Sequence, residues 1–242
     1  MNSSSQIETT VDLLFRHEWG KLVTVLTKLF GPENLALAED VVQDTLVKAL
    51  NSWKIKGIPE NPSAWLFTVA RNKAIDVLRK QKLQQQYSKT VSPLLQSEYT
   101  LTPTVNEYVN SSSINDDQLR MMFVCCHPAL SAEAQVAIIL KTLCGFSVAE
   151  IAKAFVTNYD RIEKRLYRAR LALRENKVAF ELPAGAALDS RLENVLTAIY
   201  LLFNEGYNST AHESLIRTDL MQEAIRLCEL ICSNSLVGHS NA

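Results

Sequence analysis

The sequence predicts an all-α protein: two small helical domains joined by a flexible linker, with a helical extension at the C-terminus. Three observations carry this. Apolar residues recur at spacings of three and four over most of the chain, the period of a helix with one buried face. Only seven glycines and seven prolines occur in 242 residues, which leaves room for few tight turns. One polar stretch, Gln81 to Gln118, loses all periodicity and separates two regular halves.

The first helix is expected over Val11 to Phe30, with Val11, Leu14, Phe15, Leu22, Val25, Leu26 and Leu29 on one side and Gly31-Pro32 as its stop. The second runs from Leu35 to Trp53 on an apolar stripe of Ala38, Val41, Val42, Thr45, Leu46, Ala49, Leu50 and Trp53. Its opposite side carries Asp40, Gln43 and Asp44 at i, i+3 and i+4, so the three share one exposed patch. Asn61-Pro62 then reads as an N-cap followed by proline at the first helical position. In that third helix Leu66, Val69, Ala70, Ala74 and Val77 gather on one side, while Asn72, Asp76 and Arg79 gather on the other with Thr68 nearby.

Beyond the polar stretch, helices are expected over Asp117 to Cys126 and Ala132 to Leu143. The stretch GFSVAEIAKAFVTNYDRIEKRLYRARLALRE follows. Ser147 with Glu150 fits a capping box, and Ile151, Ala152 and Phe155 are the apolar side of a short helix. Val156-Thr157-Asn158 is a break, with Asn158 a second N-cap. The next helix turns Ile162, Leu166, Ala169 and Leu173 inward and projects Arg161, Lys164, Arg165 and Arg168 outward at i, i+3, i+4 and i+7. Two helices, a short turn and a basic outer face on the second make a helix-turn-helix, whose second helix enters the major groove. Val156 stands where such turns often carry glycine. The segment Leu188 to Leu230 is again helical, with an interruption expected at FNEGYNSTAHES.

The net charge of −1 hides its distribution. Arg71 to Lys82 holds five basic residues and one acid, and Arg161 to Lys177 holds seven and two. Two separated basic helices on a neutral chain point to two contacts with a polyanion. No apolar run reaches the length of a membrane span, so no membrane insertion is expected. The N-terminus lacks the basic and apolar parts of a secretion signal. The odd set Cys125, Cys126, Cys144, Cys228 and Cys232 then points to the reducing cytoplasm. Adjacent Cys125 and Cys126 diverge by about 100° on a helix, and no second ligand pair stands near them. No metal and no cofactor are expected, and no nucleophile triad, glycine-rich phosphate loop or carboxylate pair suggests an enzyme.

Taken together, LAEDVVQDTLVKALNSW, then NPSAWLFTVARNKAIDVLRK, a linker, and FSVAEIAKAFVTNYDRIEKRLYRARLAL resemble a bacterial RNA polymerase sigma factor of the extracytoplasmic-function class, group 4. The strings MFVCCHPALSAEAQVAIILKTLCGFS and AIYLLFNEGYNS are similar to the subgroup with a C-terminal, tetratricopeptide-like helical extension. The resemblance implies region 2 over residues 8–82, a linker over 83–116, region 4 over 117–178 and the extension over 186–236. It implies core RNA polymerase as partner, through the β′ clamp helices and the β flap, with Asp40, Gln43 and Asp44 on the clamp side. It implies promoter DNA as the second partner. For the −10 element the matching residues are Asn61, Asn72, Lys73, Asp76, Arg79 and Lys80. For the −35 element they are Arg161, Lys164, Arg165 and Arg168. Trp53, Trp65 and Phe67 are candidates for stacking on unpaired bases, and loop 56–61 corresponds to the place where the family captures a flipped base. The linker acids Glu98, Glu107, Asp116 and Asp117 are compatible with mimicry of RNA. An anti-sigma factor and the chain's own C-terminal segment are the two candidate regulators. The alternative reading is a stand-alone helix-turn-helix regulator, which leaves the acidic patch of the second helix without a role.

Overall fold

A computed structural model describes residues 3–85, 114–207 and 217–234, and among them there are nine α-helices, one 3-10 turn and no strand. In chain order the helices are α1 (Ser3–Phe30), α2 (Leu35–Lys56), α3 (Pro62–Gln85), α4 (Ile114–Cys125), α5 (Ala132–Thr142), α6 (Val148–Ala154), α7 (Tyr159–Glu175), α8 (Ala186–Tyr207) and α9 (Thr218–Ser233). The 3-10 turn, Pro32–Asn34, joins α1 to α2.

The first three helices form a bundle. α1 packs on α2 and buries Leu22, Val23, Val25 and Leu26, while Ala38, Val42, Ala49 and Trp53 of α2 are all but sealed from solvent. Each leucine, valine or isoleucine buried this way contributes about 1.5–3 kcal/mol of transfer free energy. α3 completes the bundle with Leu66, Ala70, Ala74, Ile75 and Leu78. Ile75 and Leu78 extend the buried stripe beyond the expected set, and Val77 sits at its half-exposed edge.

The second half is organised by α4 and α5, both almost wholly buried. α6 and α7 pack on α5 and on each other, while α8 and α9 form a hairpin against α4 and α5. Gly206 lets the hairpin close. A Cβ there would lie 2.8 Å from Met221 Cγ and 3.0 Å from the Arg217 carbonyl oxygen.

Several expectations change. α3 runs on to Gln85 and α4 begins at Ile114, so both ends of the expected linker are helical; Phe15, Glu98 and Glu107 lie outside the residues whose side chains are described. Asp117 is not a linker acid. It is buried in α4, accepting from Lys28 Nζ at 2.7 Å and from Arg120 Nη1 at 2.8 Å, and so is closed to any RNA-like role. α8 continues through the FNEGY segment to Tyr207 instead of breaking before it.

The two halves also share one core. Trp19 Nε1 donates to the Lys141 carbonyl oxygen at 3.1 Å. At the neighbouring residue, Gly20, an added Cβ would lie 2.2 Å from the Leu143 carbonyl oxygen. Arg170 of α7 reaches back to Glu39 of α2 through Nη2 and Nε at 2.7 and 3.0 Å. The described halves are therefore docked on each other, not spaced apart by the chain between them.

Candidate nucleic-acid interface

The helix-turn-helix is built from local signals. Ser147 Oγ accepts from the Glu150 amide and the Glu150 carboxylate accepts from the Ser147 amide, closing the capping box that starts α6. Asn158 Oδ1 accepts from the Arg161 amide at 3.0 Å and starts α7. Between them Val156 adopts φ 49°, the left-handed conformation that a glycine would take more easily, and its side chain is almost fully exposed. Ile162, Leu166, Ala169 and Leu173 are buried as the spacing requires.

The outer face of α7 is basic. Arg161, Lys164 and Arg168 are exposed and Arg165 is half-buried, with its guanidinium 5.3 Å from the centroid of the Phe155 ring. All four line a cleft of about 460 Å³ shared with Ser131 and Ala134 at the start of α5. Arg170 belongs to the same charge run but points the other way, into the contact with Glu39. Burial raises the Glu39 carboxyl above its ordinary value, and Arg170 pulls it back down.

On α3, Asn72, Asp76, Arg79 and Lys80 are exposed. Arg79 lies 3.9 Å from Asp76, one helical turn away. Asn61 spends its side chain on the cap, accepting from the Ala64 amide at 2.9 Å. Lys73 forms a salt bridge with Asp44 of α2. That pair joins a residue expected to face DNA to one expected to face the polymerase. Asp40 and Gln43 stay exposed beside it.

Trp65 packs edge-on against the buried Trp53, with ring centroids 5.3 Å apart, so the two indoles support each other inside the bundle. Phe67 is placed differently. With Asn61, Ser63, Thr68 and Arg71 it lines a recess of about 340 Å³ at the start of α3, closed on one side by Ile114. Ser63 and Arg71 were not among the sequence candidates. Their signal was present, since each lies four residues, one turn, from Phe67 and so on its side of the helix.

Cys125 and Cys126 are buried, and burial pushes the Cys125 thiol up to about 12. His127 follows the end of α4, where its Nδ1 accepts from the Ala129 amide. No cluster of three or more metal-ligating side chains occurs among the described residues.

Residues 14–84 match Sigma-70 region 2, and residues 120–173 match Sigma-70, region 4. Residues 191–241 match DUF6596, a family of unknown function. The ECF RNA polymerase sigma factor SigL of Mycobacterium tuberculosis is 33% identical over 140 residues, covering 57% of this chain and 73% of SigL. The chain belongs to the ECF RNA polymerase sigma factors. The RNA polymerase sigma factor YlaC of Bacillus subtilis is 27% identical over 169 residues, covering 69% of this chain and 91% of YlaC. An uncharacterized protein of Rhizobium meliloti is 37% identical over 200 residues. That match covers 82% of this chain but only 46% of the Rhizobium protein, so the chain spans less than half the length of that relative. No solved structure matches the chain. In this sigma factor the two matched regions coincide with the α1–α3 bundle and with α4–α7, and the family of unknown function with the α8–α9 hairpin. No described helix is long and apolar enough to cross a membrane.

Proposed function

We infer that this chain binds core RNA polymerase and directs it to promoters, where it helps open the DNA and start transcription. The observation that carries this reading is the pairing, in one ECF-family chain, of an exposed polar face on α3 with the exposed basic face of α7. In the proposed arrangement α7 lies in the major groove of the −35 element, with Arg161, Lys164, Arg165 and Arg168 split between base edges and phosphates. Asn72, Asp76, Arg79 and Lys80 face the −10 strand, and Lys73 joins them once it leaves Asp44. The recess around Phe67 and Arg71 is sized for a base turned out of the stack, with an aromatic ring and a cation at its wall. Asp40, Gln43 and Asp44 meet the β′ clamp helices, and α4–α7 meets the β flap. The bond-making chemistry belongs to the polymerase. The chain then works in the cytoplasm, where the polymerase is.

Co-elution with bacterial core polymerase tests this, using Asp40→Arg beside the wild type. Asp40 is exposed and has no part in the Asp44–Lys73 salt bridge, so its reversal leaves the bundle intact. Wild-type co-elution with at least a tenfold loss in the variant is expected. An Arg165→Glu chain should still co-elute while losing promoter binding. If the wild type binds duplex DNA in a salt-sensitive way yet never binds polymerase, the stand-alone regulator takes the place of this reading.

A further inference from the structure

The two helices expected to read DNA are held close together. Lys73 of α3 is salt-bridged to Asp44 of α2. About 7.5 Å earlier along α2, Glu39 accepts from Arg170 of α7 at 2.7 and 3.0 Å. A helix with its side chains is about 10–12 Å across, so α3 and α7, both held to α2, have their axes about 25 Å apart there. The −10 and −35 elements are about two and a half turns of duplex apart, about 85 Å. No rearrangement of side chains covers that difference.

The junction that holds the helices together is broad. The turn Pro32–Asn34 packs on α7, and α1 packs on α4 and α5. Trp19 and Gly20 of α1 meet the carbonyls of Lys141 and Leu143. The C-terminal hairpin lies across the junction, because α8 and α9 pack on α4 while α9 also touches α1. Glu150 of α6 ties these parts together, lying 3.5 Å from Arg16 of α1 and 3.2 Å from Arg217 at the start of α9. Arg217 is 6% exposed, so this pairing sits inside the junction and not on its rim.

We propose that the docked form is a closed, resting state of the sigma factor, strapped by the α8–α9 hairpin and unable to place both readers on one promoter. The proposal rests on the promoter reading given above and adds its regulation. Opening separates α7 from α2. Residues 86–113 can then span about 95 Å when drawn out, which covers the distance between the two elements. Only the open form engages both elements, so promoter-bound polymerase draws the equilibrium toward it. The clamp-facing Asp40 adjoins Glu39, and a partner on that face acts one residue from the Arg170 contact. Until the chain opens, its apparent affinity for a promoter is lowered by the fraction of molecules that are open.

The test uses the full chain carrying Glu33→Cys on the turn and Arg174→Cys on α7, both exposed positions, with Cys228→Ser and Cys232→Ser. The other three cysteines are buried. Spin labels on the introduced pair should report one short distance in the free chain. That distance should at least about double when core polymerase and a duplex carrying both elements are added. Gly20→Ala and, separately, Arg217→Met should lengthen it without polymerase. Bridging the two cysteines with a bismaleimide should cut promoter-dependent transcription at least about tenfold, while single-ended maleimide caps leave it unchanged. A bridged chain that transcribes like the capped one overturns the proposal, and so does a long distance in the free chain. A distance that stays short in free Arg217→Met overturns the hairpin's part as a strap. Co-elution with polymerase and promoter but no lengthening overturns this proposal alone, whereas a wild type that never co-elutes overturns the promoter reading as well.

Discussion

Val156 is a single residue at which sequence and backbone disagree. A β-branched side chain at φ 49° is held in a region that costs an ordinary residue about 1–2 kcal/mol. Its side chain touches almost nothing, so that cost has no compensating contact at the side chain. Val156→Asn should stabilise the fold by about 1 kcal/mol, read as a higher urea midpoint with an unchanged slope. A lower midpoint would mean that the turn depends on valine in a way that its exposure hides. Residues of this kind were half legible. The place of Val156 in the turn follows from the two caps around it, but its φ does not follow from any local pattern. The same holds for charge. Arg161, Lys164 and Arg168 were readable as outward because the helical period fixes their direction. Arg170 and Lys73 were not readable as ion-pair partners, because Glu39 and Asp44 lie on a different helix and no short-range spacing connects them.

At the scale of elements, α6 shows how one side chain can hold both a helix start and a tertiary junction. The Glu150 carboxylate completes the capping box. The same group lies 3.5 Å from Arg16 of α1 and 3.2 Å from Arg217 at the start of α9. Ser147→Ala removes only the cap and should cost about 1 kcal/mol. Glu150→Ala also leaves the buried Arg217 guanidinium without its nearest carboxylate and should cost about 3 kcal/mol. Equal losses, measured by chemical denaturation, would reduce Glu150 to a capping residue. The cap was visible in the sequence as Ser147 three residues before Glu150, and so were the inward positions of α7, since both rest on separations of at most one or two turns. The ends of α3, α4 and α8 were placed wrongly for the converse reason. Gln81 to Gln85 and the FNEGY segment have little amphipathic period of their own, and packing on neighbouring helices outweighs their weak propensity.

The whole molecule is set by how α1 and α2 meet the second half, and there the ion pair and the close backbone contact can be separated. Arg170→Met leaves Glu39 buried without its guanidinium and should cost about 3 kcal/mol near pH 8. A carboxyl held above its ordinary 4.5 favours the protonated fold, so stability falls as pH climbs past the folded pKa. The deficit of Arg170→Met should therefore shrink as pH falls toward 5, whereas Glu39→Gln with Arg170→Met should show no such recovery. Gly20 carries the other half of the junction. A glycine inside a helix costs about 1 kcal/mol relative to alanine, and that interior glycine was the one local hint that α1 is approached closely. If α1 could move freely, Gly20→Ala would stabilise the chain by about that amount. The neighbouring group is a backbone carbonyl, however, and no rotamer change can move it away from a Cβ 2.2 Å distant. Gly20→Ala should then lower the melting temperature and push α1 off the end of α5. It should break the Trp19–Lys141 hydrogen bond and shift tryptophan emission to the red as Trp19, now 3% exposed, meets water. Helicity should persist, because the substitution favours α1 as a helix while opposing its docking. A raised melting temperature with unshifted emission would show that the two halves are not held together at this glycine.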